Sequence, residues 1–174
     1  MKKLLLLTTV LFGLSSITLG QKYAYVDTQY ILDNIPAYKD AQAKLDDFSK
    51  EWQEEVESKY QIIERKRKAL QAEEILLPDE LKKEKKANIN FLEKEAKELQ
   101  NKYFGINGLL FQKRAELIKP IQDDIFKAIQ EIADEKKYAF VFDKANQSNL
   151  LFADPRYNIS DLVLRKMNID VNKN

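Results

Sequence analysis

The sequence predicts an α+β protein in which a long antiparallel helical hairpin is inserted into a small β body. Two polar stretches of equal length, residues 37–76 and 79–118, flank one break at residues 77–78. Each stretch would be roughly 60 Å long as a helix, so two such arms joined by a short turn form a hairpin. Strand-like segments precede and follow the arms, at residues 23–26 and 138–153.

Residues 1–20 have the pattern of a secretory signal peptide. Lys2 and Lys3 precede an apolar run, and small residues precede Gln21, the expected first residue after cleavage. A retained anchor is the alternative, but the run is shorter than the roughly 20 residues that a helix needs to cross a bilayer. We therefore expect a protein secreted into the bacterial periplasm, with residues 1–20 cleaved.

The composition removes most classes of enzyme. The chain has neither cysteine nor histidine, which excludes thiol chemistry, disulfides, histidine catalysis and the usual zinc sites. After residue 20 only Gly105 and Gly108 remain, so there is no glycine-rich phosphate loop. We predict no catalytic residues, no cofactor, no metal site and no enzymatic activity. Without Lys2 and Lys3 the chain has 27 basic and 28 acidic residues, which does not favour nucleic-acid binding.

Apolar residues recur at steps of three and four along both arms, which predicts a two-helix coiled coil. The stripes should pack together, because helices this polar gain little from intrinsic propensity. The tip of the hairpin is expected at Leu77-Pro78. The first stripe is Ala41, Leu45, Phe48, Trp52, Val56, Tyr60, Ile63 and Leu70, and the second is Leu81, Ile89, Leu92, Ala96, Leu99, Tyr103, Ile106 and Leu110.

Three aromatic residues of the second arm lie off this seam. Phe91 lies roughly 110° to one side of the stripe, and Phe104 and Phe111 lie roughly 100° to the other. Large exposed aromatic side chains usually mark contact with a subunit, a partner or a membrane. Burial against a sister chain and contact with a client both remain open.

The far end of the hairpin is predicted to be basic. With the neighbouring carboxylates counted, its net charge is +3. Such a tip fits weak contact with anionic lipid, lipopolysaccharide or an acidic client, and an ordinary solvated charge run has the same pattern. The basic residues are Arg65, Lys66, Arg67, Lys68, Lys82, Lys83, Lys85 and Lys86.

The second arm contains helix-breaking residues, which predict a hinge at residues 105–120. Gly105 and Gly108 each cost about 1 kcal/mol in a helix relative to alanine. Pro120 removes a helical hydrogen bond and is expected to end or kink the helix, which would resume at residues 121–136. The alternative is that the small residues allow close helix packing.

The β body is predicted to contain residues 21–36 and 119–174. Residues 138–142 and 150–152 are expected to form a β hairpin that joins the strand at residues 23–26. Three strands cannot cover their own edges, so the sheets of several chains should join. Ser160 is expected to cap a final helix.

Several motifs together resemble one family. They are, in chain order, YVDTQYIL at residues 25–32, Pro36, Lys39, AQ at residues 41–42, Pro78, LIKPI at residues 117–121, AI at residues 128–129, YAFVFD at residues 138–143 and NIS at residues 158–160. Their order, with equal arms between them, resembles the OmpH/Skp family of periplasmic chaperones. The near-neutral charge departs from the strongly basic members of that family, and Asn158 stands where the family often has aspartate.

The resemblance implies a homotrimer with a β body and three helical arms, residues 37–118, around a cavity. It also implies an ATP-independent holdase that binds unfolded outer-membrane proteins there. On helical geometry, the expected client contacts are Ile62, Phe91, Phe104, Arg65, Lys66, Lys82 and Lys83. The residues expected to hold the trimer together are Tyr25, Val26, Phe140 and Phe142.

A structural role is the alternative function. The same hairpin would suit a coiled-coil adaptor or spacer that docks end to end with another cell-envelope protein. Such adaptors usually carry larger β domains beside the hairpin than this chain provides.

Overall fold

The computed structural model of the protein describes residues 21–145 and 150–170, so the predicted signal peptide lies outside the described residues. The α+β class is confirmed, since most described residues are helical and two strands form a small sheet. The elements in chain order are β1 (Lys22–Val26), α1 (Thr28–Asp33), α2 (Pro36–Glu73), α3 (Asp79–Phe104), α4 (Leu109–Lys136), β2 (Tyr138–Asp143), a 3₁₀ turn (Pro155–Tyr157) and α5 (Ser160–Lys166).

Helices α2 and α3 lie side by side in opposite directions and form the outer part of the arm. Helix α2 begins at Pro36, a residue favoured in the first helical turn because its missing N–H would have no partner there. Among the described residues, no helix combines the length and apolar character needed to cross a membrane. From base to tip, the cross-helix pairs are Trp52 with Tyr103, Tyr60 with Gln100, Arg67 with Glu93 and Glu73 with Lys85.

The apolar seam between α2 and the second half of the arm is buried along much of its length. Ile106 is an exception: the periodicity placed it on the seam, but it is 99 % exposed. Leu81, near the tip, is also exposed. The buried seam residues are Ala41, Leu45, Val56, Ile63 and Leu70 of α2 and Ile89, Ala96 and Tyr103 of α3.

The second half of the arm is interrupted at residues 105–108, so it is not one continuous helix. The N–H of Gly108 donates to the carbonyl of Gly105 at 2.8 Å, and Asn107 has a φ of 62°. A positive φ at the third position of such a turn favours glycine or asparagine. A Cβ atom on Gly105 would lie 2.4 Å from the carbonyl oxygen of Asn101. The backbone of Asn101 therefore leaves no room for a side chain at position 105, which explains the glycine.

Pro120 was expected to end or kink the helix, and the helix does not end there. Helix α4 (Leu109–Lys136) continues through it. The proline deprives the carbonyl of Glu116 of its amide partner. Both residues lie on the exposed side of the helix, where water replaces the lost hydrogen bond. The interruption is confined to residues 105–108.

The sheet of the body differs from the predicted β hairpin. Strands β1 and β2 pair in parallel, with Tyr25 opposite Phe142. Residues 150–152 form no strand. On the other edge of β1, the N–H of Ile159 donates to the carbonyl of Tyr25 at 2.9 Å.

One apolar cluster holds the body together, and it joins the start, middle and end of the chain. Ser160 lies beside it and is 1 % exposed. Its hydroxyl accepts from the N–H of Asp27 at 2.8 Å and donates to Asn158 at 2.7 Å. The expected cap at Ser160 is therefore corrected: the Asn158 side chain accepts from the N–H of Ser160. The buried cluster is Ala24, Val26, Ile31, Ile35, Ile125, Ala128, Ile132, Ile159, Val163 and Leu164.

A pair of ionic contacts ties α5 to α4 in this body. The Lys166 ammonium lies 2.6 Å from Glu135 and 3.2 Å from Glu131. The hydrogen bond from Lys166 lowers the pKa of Glu135 below its ordinary value. The same hydrogen bond raises the pKa of Lys166. These contacts are solvent-exposed, so their contribution to stability is small.

Replacing Lys166 with Met is expected to lower the free energy of unfolding slightly at neutral pH. Because the pKa of Glu135 is lower in the folded protein, the stabilisation is present above about pH 4.5 and disappears as the pH falls through the folded-state value. Urea unfolding of both proteins across the acidic range measures this. Lys127→Met, which changes an exposed lysine of α4, is the control. If the difference in the free energy of unfolding between wild type and Lys166→Met stays the same at low pH, the proposed contribution of the Lys166–Glu135 contact is contradicted.

Candidate functional site

An exposed aromatic face covers one side of the sheet. We define this aromatic face as Tyr23, Phe140 and Phe142. Tyr23 stacks on Phe140 with ring centroids 6.0 Å apart, and Phe140 stacks on Phe142 at 6.2 Å. Phe140 is 56 % exposed. Side chains two residues apart in a strand point to the same face of the sheet. Phe140 and Phe142 of β2 therefore both belong to the aromatic face.

The four residues expected to hold a trimer together have different environments. Phe140 and Phe142 are exposed, whereas Tyr25 and Val26 are buried within the chain. Val26 packs into the core of its own body. Tyr23 belongs with the exposed pair, and the sequence analysis did not single it out. Its register opposite Phe140 depends on the parallel pairing, which the sequence did not reveal.

A ladder of aromatic rings joins α2 to the end of α3. Trp52 stacks on Phe48 at 5.4 Å and on Tyr103 at 4.9 Å. The Tyr103 hydroxyl donates to Glu55 at 2.6 Å, and this hydrogen bond raises the pKa of Tyr103. Phe104 meets the edge of Tyr103 at 6.3 Å. The ladder therefore fixes the last turn of α3 immediately before the break at residues 105–108.

The apolar residues expected to contact a client lie on two different faces of the arm. Phe104 lines a shallow groove with Val56 and Tyr60. Phe91 is 58 % exposed and lies roughly 140° away from Phe104 around the axis of α3. Ile62 is half-buried on α2. The structure therefore does not bring Phe91 and Phe104 together into one site.

Ion pairs neutralise about half of the basic residues near the tip. Lys82 pairs with Asp79 at 3.4 Å. Lys86 donates to Glu74 at 2.9 Å, and this hydrogen bond lowers the pKa of Glu74. Lys85 pairs with Glu73, and Arg67 pairs with Glu64 and Glu93. Among the described residues, the basic side chains of this region without an ion pair are Arg65, Lys66, Lys68 and Lys83.

The turn at the tip exposes large aliphatic side chains that the sequence analysis had assigned to the hairpin. Ile75 is 94 % exposed and Leu76 is 86 % exposed. Helix α2 ends before them, and α3 begins after Pro78. No tertiary contact covers them in the described chain.

A groove lies between α2 and α3 just below the tip, and we call it the tip groove. Its volume is about 690 Å³. Apolar side chains form its floor and charged side chains form its rim. The lining residues are Lys66, Ala69, Leu70, Leu81, Glu84, Lys85, Ala87, Asn88 and Ile89. Residues of both helices form the groove together, so the apolar pattern of neither stripe alone predicted it.

The described residues contain no group of three or more acidic side chains arranged to hold a metal ion.

Residues 22–167 match the family described as outer membrane protein (OmpH-like). The chain belongs to the OmpH-like family. The resemblance seen in the sequence is therefore confirmed, and membership supports a chaperone role in general.

Two known proteins illustrate the extent of this similarity. An uncharacterized protein of Aquifex aeolicus strain VF5 is 30 % identical over 167 residues, which is 96 % of each chain. A crystal structure from Caulobacter crescentus CB15, described provisionally as an OmpH-like outer membrane chaperone, superposes with a TM-score of 0.63. The alignment covers 88 % of this chain and 89 % of that one, at 12 % identity. The second comparison shows a shared fold.

Proposed function

We propose that this OmpH-like protein is an ATP-independent periplasmic holdase that binds unfolded outer-membrane proteins between the helical arms of a homotrimer. The observation that carries the proposal is the arm itself. It projects from a small body and exposes large apolar side chains, including Phe91 and Phe104, on a surface that is otherwise charged. An arm of this kind provides adhesive contacts without forming an extended apolar patch.

The sheet supports assembly into an oligomer. Two strands do not form an independently stable sheet, and their exposed faces need a cover. The aromatic face supplies that contact surface, with rings already stacked on one another. Association of three copies through this face would cover the rings and place the three arms around one cavity.

The chemistry of the clients suits weak, distributed contacts. Strands of outer-membrane barrels alternate apolar and polar residues, so the unfolded chains have scattered apolar groups. A protein that binds the unfolded state keeps its client unfolded by mass action. Several arms joined in one assembly add their weak contacts together. Release then needs no nucleotide, since each individual contact breaks readily.

Weak attraction of the tip to anionic lipid or lipopolysaccharide is a further part of this proposal. Exposed cations near an anionic surface each contribute about 1 kcal/mol. The four cations without an ion pair, among them Lys83, would provide this attraction. It would be modest, because the paired lysines are already neutralised by the arm's own carboxylates.

The adaptor function is a second candidate, favoured by one observation. Ile75 and Leu76 lie almost fully exposed at the end of the hairpin, where an end-to-end contact with a folded envelope protein would cover them. In that case the tip turn would be the binding element, and the lateral surfaces of the arm would be solvated.

The proposal is tested by purifying residues 21–174, measuring the mass by light scattering, and diluting a urea-unfolded outer-membrane barrel into the protein. We expect a trimer that suppresses aggregation equally with and without ATP. The double variant Ile75→Asp, Leu76→Asp should retain this activity. A monomer, or a trimer that leaves aggregation unchanged, would overturn the holdase proposal. Loss of activity only in the double variant would favour the tip as the binding element.

A further inference from the structure

The lining of the tip groove continues toward the base as one strip on the same face of the arm. On α3, Phe91 follows Asn88 by three residues, a spacing that places side chains next to each other on a helix. On α2, Ile62 precedes Lys66 by four residues, a spacing that also places the two side chains next to each other on the helix. Because the helices are antiparallel, both residues lie toward the base of the arm: the cross-helix pair of Arg67 with Glu93 places Phe91 about level with Ala69, and Ile62 lies further toward the base.

Unpaired charges of both signs border this strip. Lys66 lies on the rim and forms no ion pair among the described residues. Arg65, the preceding residue of α2, is likewise unpaired in the described chain. Glu84 also lines the groove, so the rim is mixed rather than uniformly basic.

We propose that the tip groove, together with Ile62 and Phe91, binds an extended segment of an unfolded chain in which apolar residues alternate with acidic ones. The proposal rests on the holdase function and identifies the kind of segment that one arm recognises. Apolar side chains of the segment lie on the groove floor and against Phe91. The acidic side chains point outward, toward Lys66 and Arg65.

The dimensions of the strip fit such a segment. From Leu81 to Phe91 the strip extends along α3 for roughly 15 Å, at about 1.5 Å per residue. In an extended chain, side chains on one face recur about every 6.6 Å. The strip therefore accepts two or three apolar side chains, or about five residues of client. Successive turns of the two helices, about 5.4 Å apart, offer contacts at a similar repeat.

The test uses a short fluorescein-labelled peptide in which leucine alternates with glutamate, with binding to the full protein followed by anisotropy. Phe91→Ala should weaken binding about tenfold, because the large aromatic contact of the strip is removed. Phe111→Ala is the matched control: Phe111 is 59 % exposed and Phe91 58 % exposed, but Phe111 lies on α4. This control should bind the peptide as wild type does.

The charge contribution is tested in the same assay. Lys66→Glu should weaken binding up to about fivefold, the range expected of an exposed ion pair, and the effect should shrink at high salt. Lys97→Glu, which changes an exposed lysine further down α3, should have little effect. A peptide of the same composition with its leucines grouped together should bind more weakly than the alternating one.

The outcomes separate this inference from the proposed function. Equal binding by wild type and Phe91→Ala, or equal binding of the two peptides, would overturn the groove assignment even if barrel aggregation is suppressed. If wild type does not suppress aggregation, the holdase proposal fails. Peptide binding that depends on Phe91 and Lys66 would then still place the recognition strip in the tip groove.

Discussion

Replacing Phe140 with Asp is expected to dissociate the proposed trimer into monomers at micromolar concentration. Burial of a phenylalanine contributes about 2 kcal/mol, and a trimer contains three copies of the residue. The loss is therefore about 6 kcal/mol for the assembly, or roughly four orders of magnitude in its formation constant. A carboxylate placed between stacked rings adds a desolvation cost to this loss. Light scattering over a concentration series measures the change.

The matched control for this variant lies on the arm. Phe91→Asp introduces the same charge at a phenylalanine that is 58 % exposed, against 56 % for Phe140. It should leave the mass of the assembly unchanged, although it should weaken client binding. A Phe140→Asp protein that stays trimeric would show that the aromatic face is not the subunit contact. Circular dichroism confirms that the monomeric variant keeps its helices.

Replacing Leu164 with Ala is expected to destabilise the protein by about 3 kcal/mol, within the range measured for leucine truncation in packed cores. Leu164 is fully buried. It packs in the cluster that joins β1, α1, α4 and α5. Removal of its side chain leaves a cavity that these elements cannot easily fill, because each is held by other contacts. Urea unfolding at one fixed protein concentration measures the loss, since association also contributes to stability.

Leu76→Ala provides the comparison for this substitution. It makes the same chemical change at a leucine that is 86 % exposed, so its effect should be below about 0.5 kcal/mol. If the two variants unfold at the same urea concentration, the buried cluster does not determine stability. In that case the arm would be the cooperative unit of unfolding.

Local patterns in the sequence predicted the helices because helix formation leaves a periodic signal. The stripe from Ala41 to Leu70 follows the buried side of α2 closely. Glycines at 105 and 108 predicted a weak point, and the interruption lies there. Pro120 does not end its helix, since an exposed proline costs one hydrogen bond at a carbonyl that water can reach, and this does not suffice to end a helix with a buried face.

Non-local features were the ones that sequence reasoning missed. The apolar run at residues 150–152 has strand propensity but forms no strand, and β2 pairs instead with β1, which lies far away in the sequence. The charge count at the tip likewise ignored geometry: Lys85 and Lys86 reach carboxylates 12 positions earlier in the chain. The tip groove is lined by residues of two helices, so it is a property of neither helix alone.

The parallel pairing of β1 with β2 has a consequence for the order in which the protein folds. The hydroxyl of Thr28 donates to Asp143, 115 positions along the chain. Closing a flexible loop of that length costs roughly 4 kcal/mol. Helices α2, α3 and α4 form from nearby contacts and return the chain to its starting point, which shortens the distance left to close.

In the proposed oligomer, subunits could therefore associate only after the arm is complete. The aromatic face has one ring on β1 and two on β2, so the surface does not exist until the hairpin has brought the strands together. A chain with an unfinished arm would have no complete surface for joining other subunits. Defective arms would be excluded from the oligomer by the topology of the chain, with no separate quality-control step.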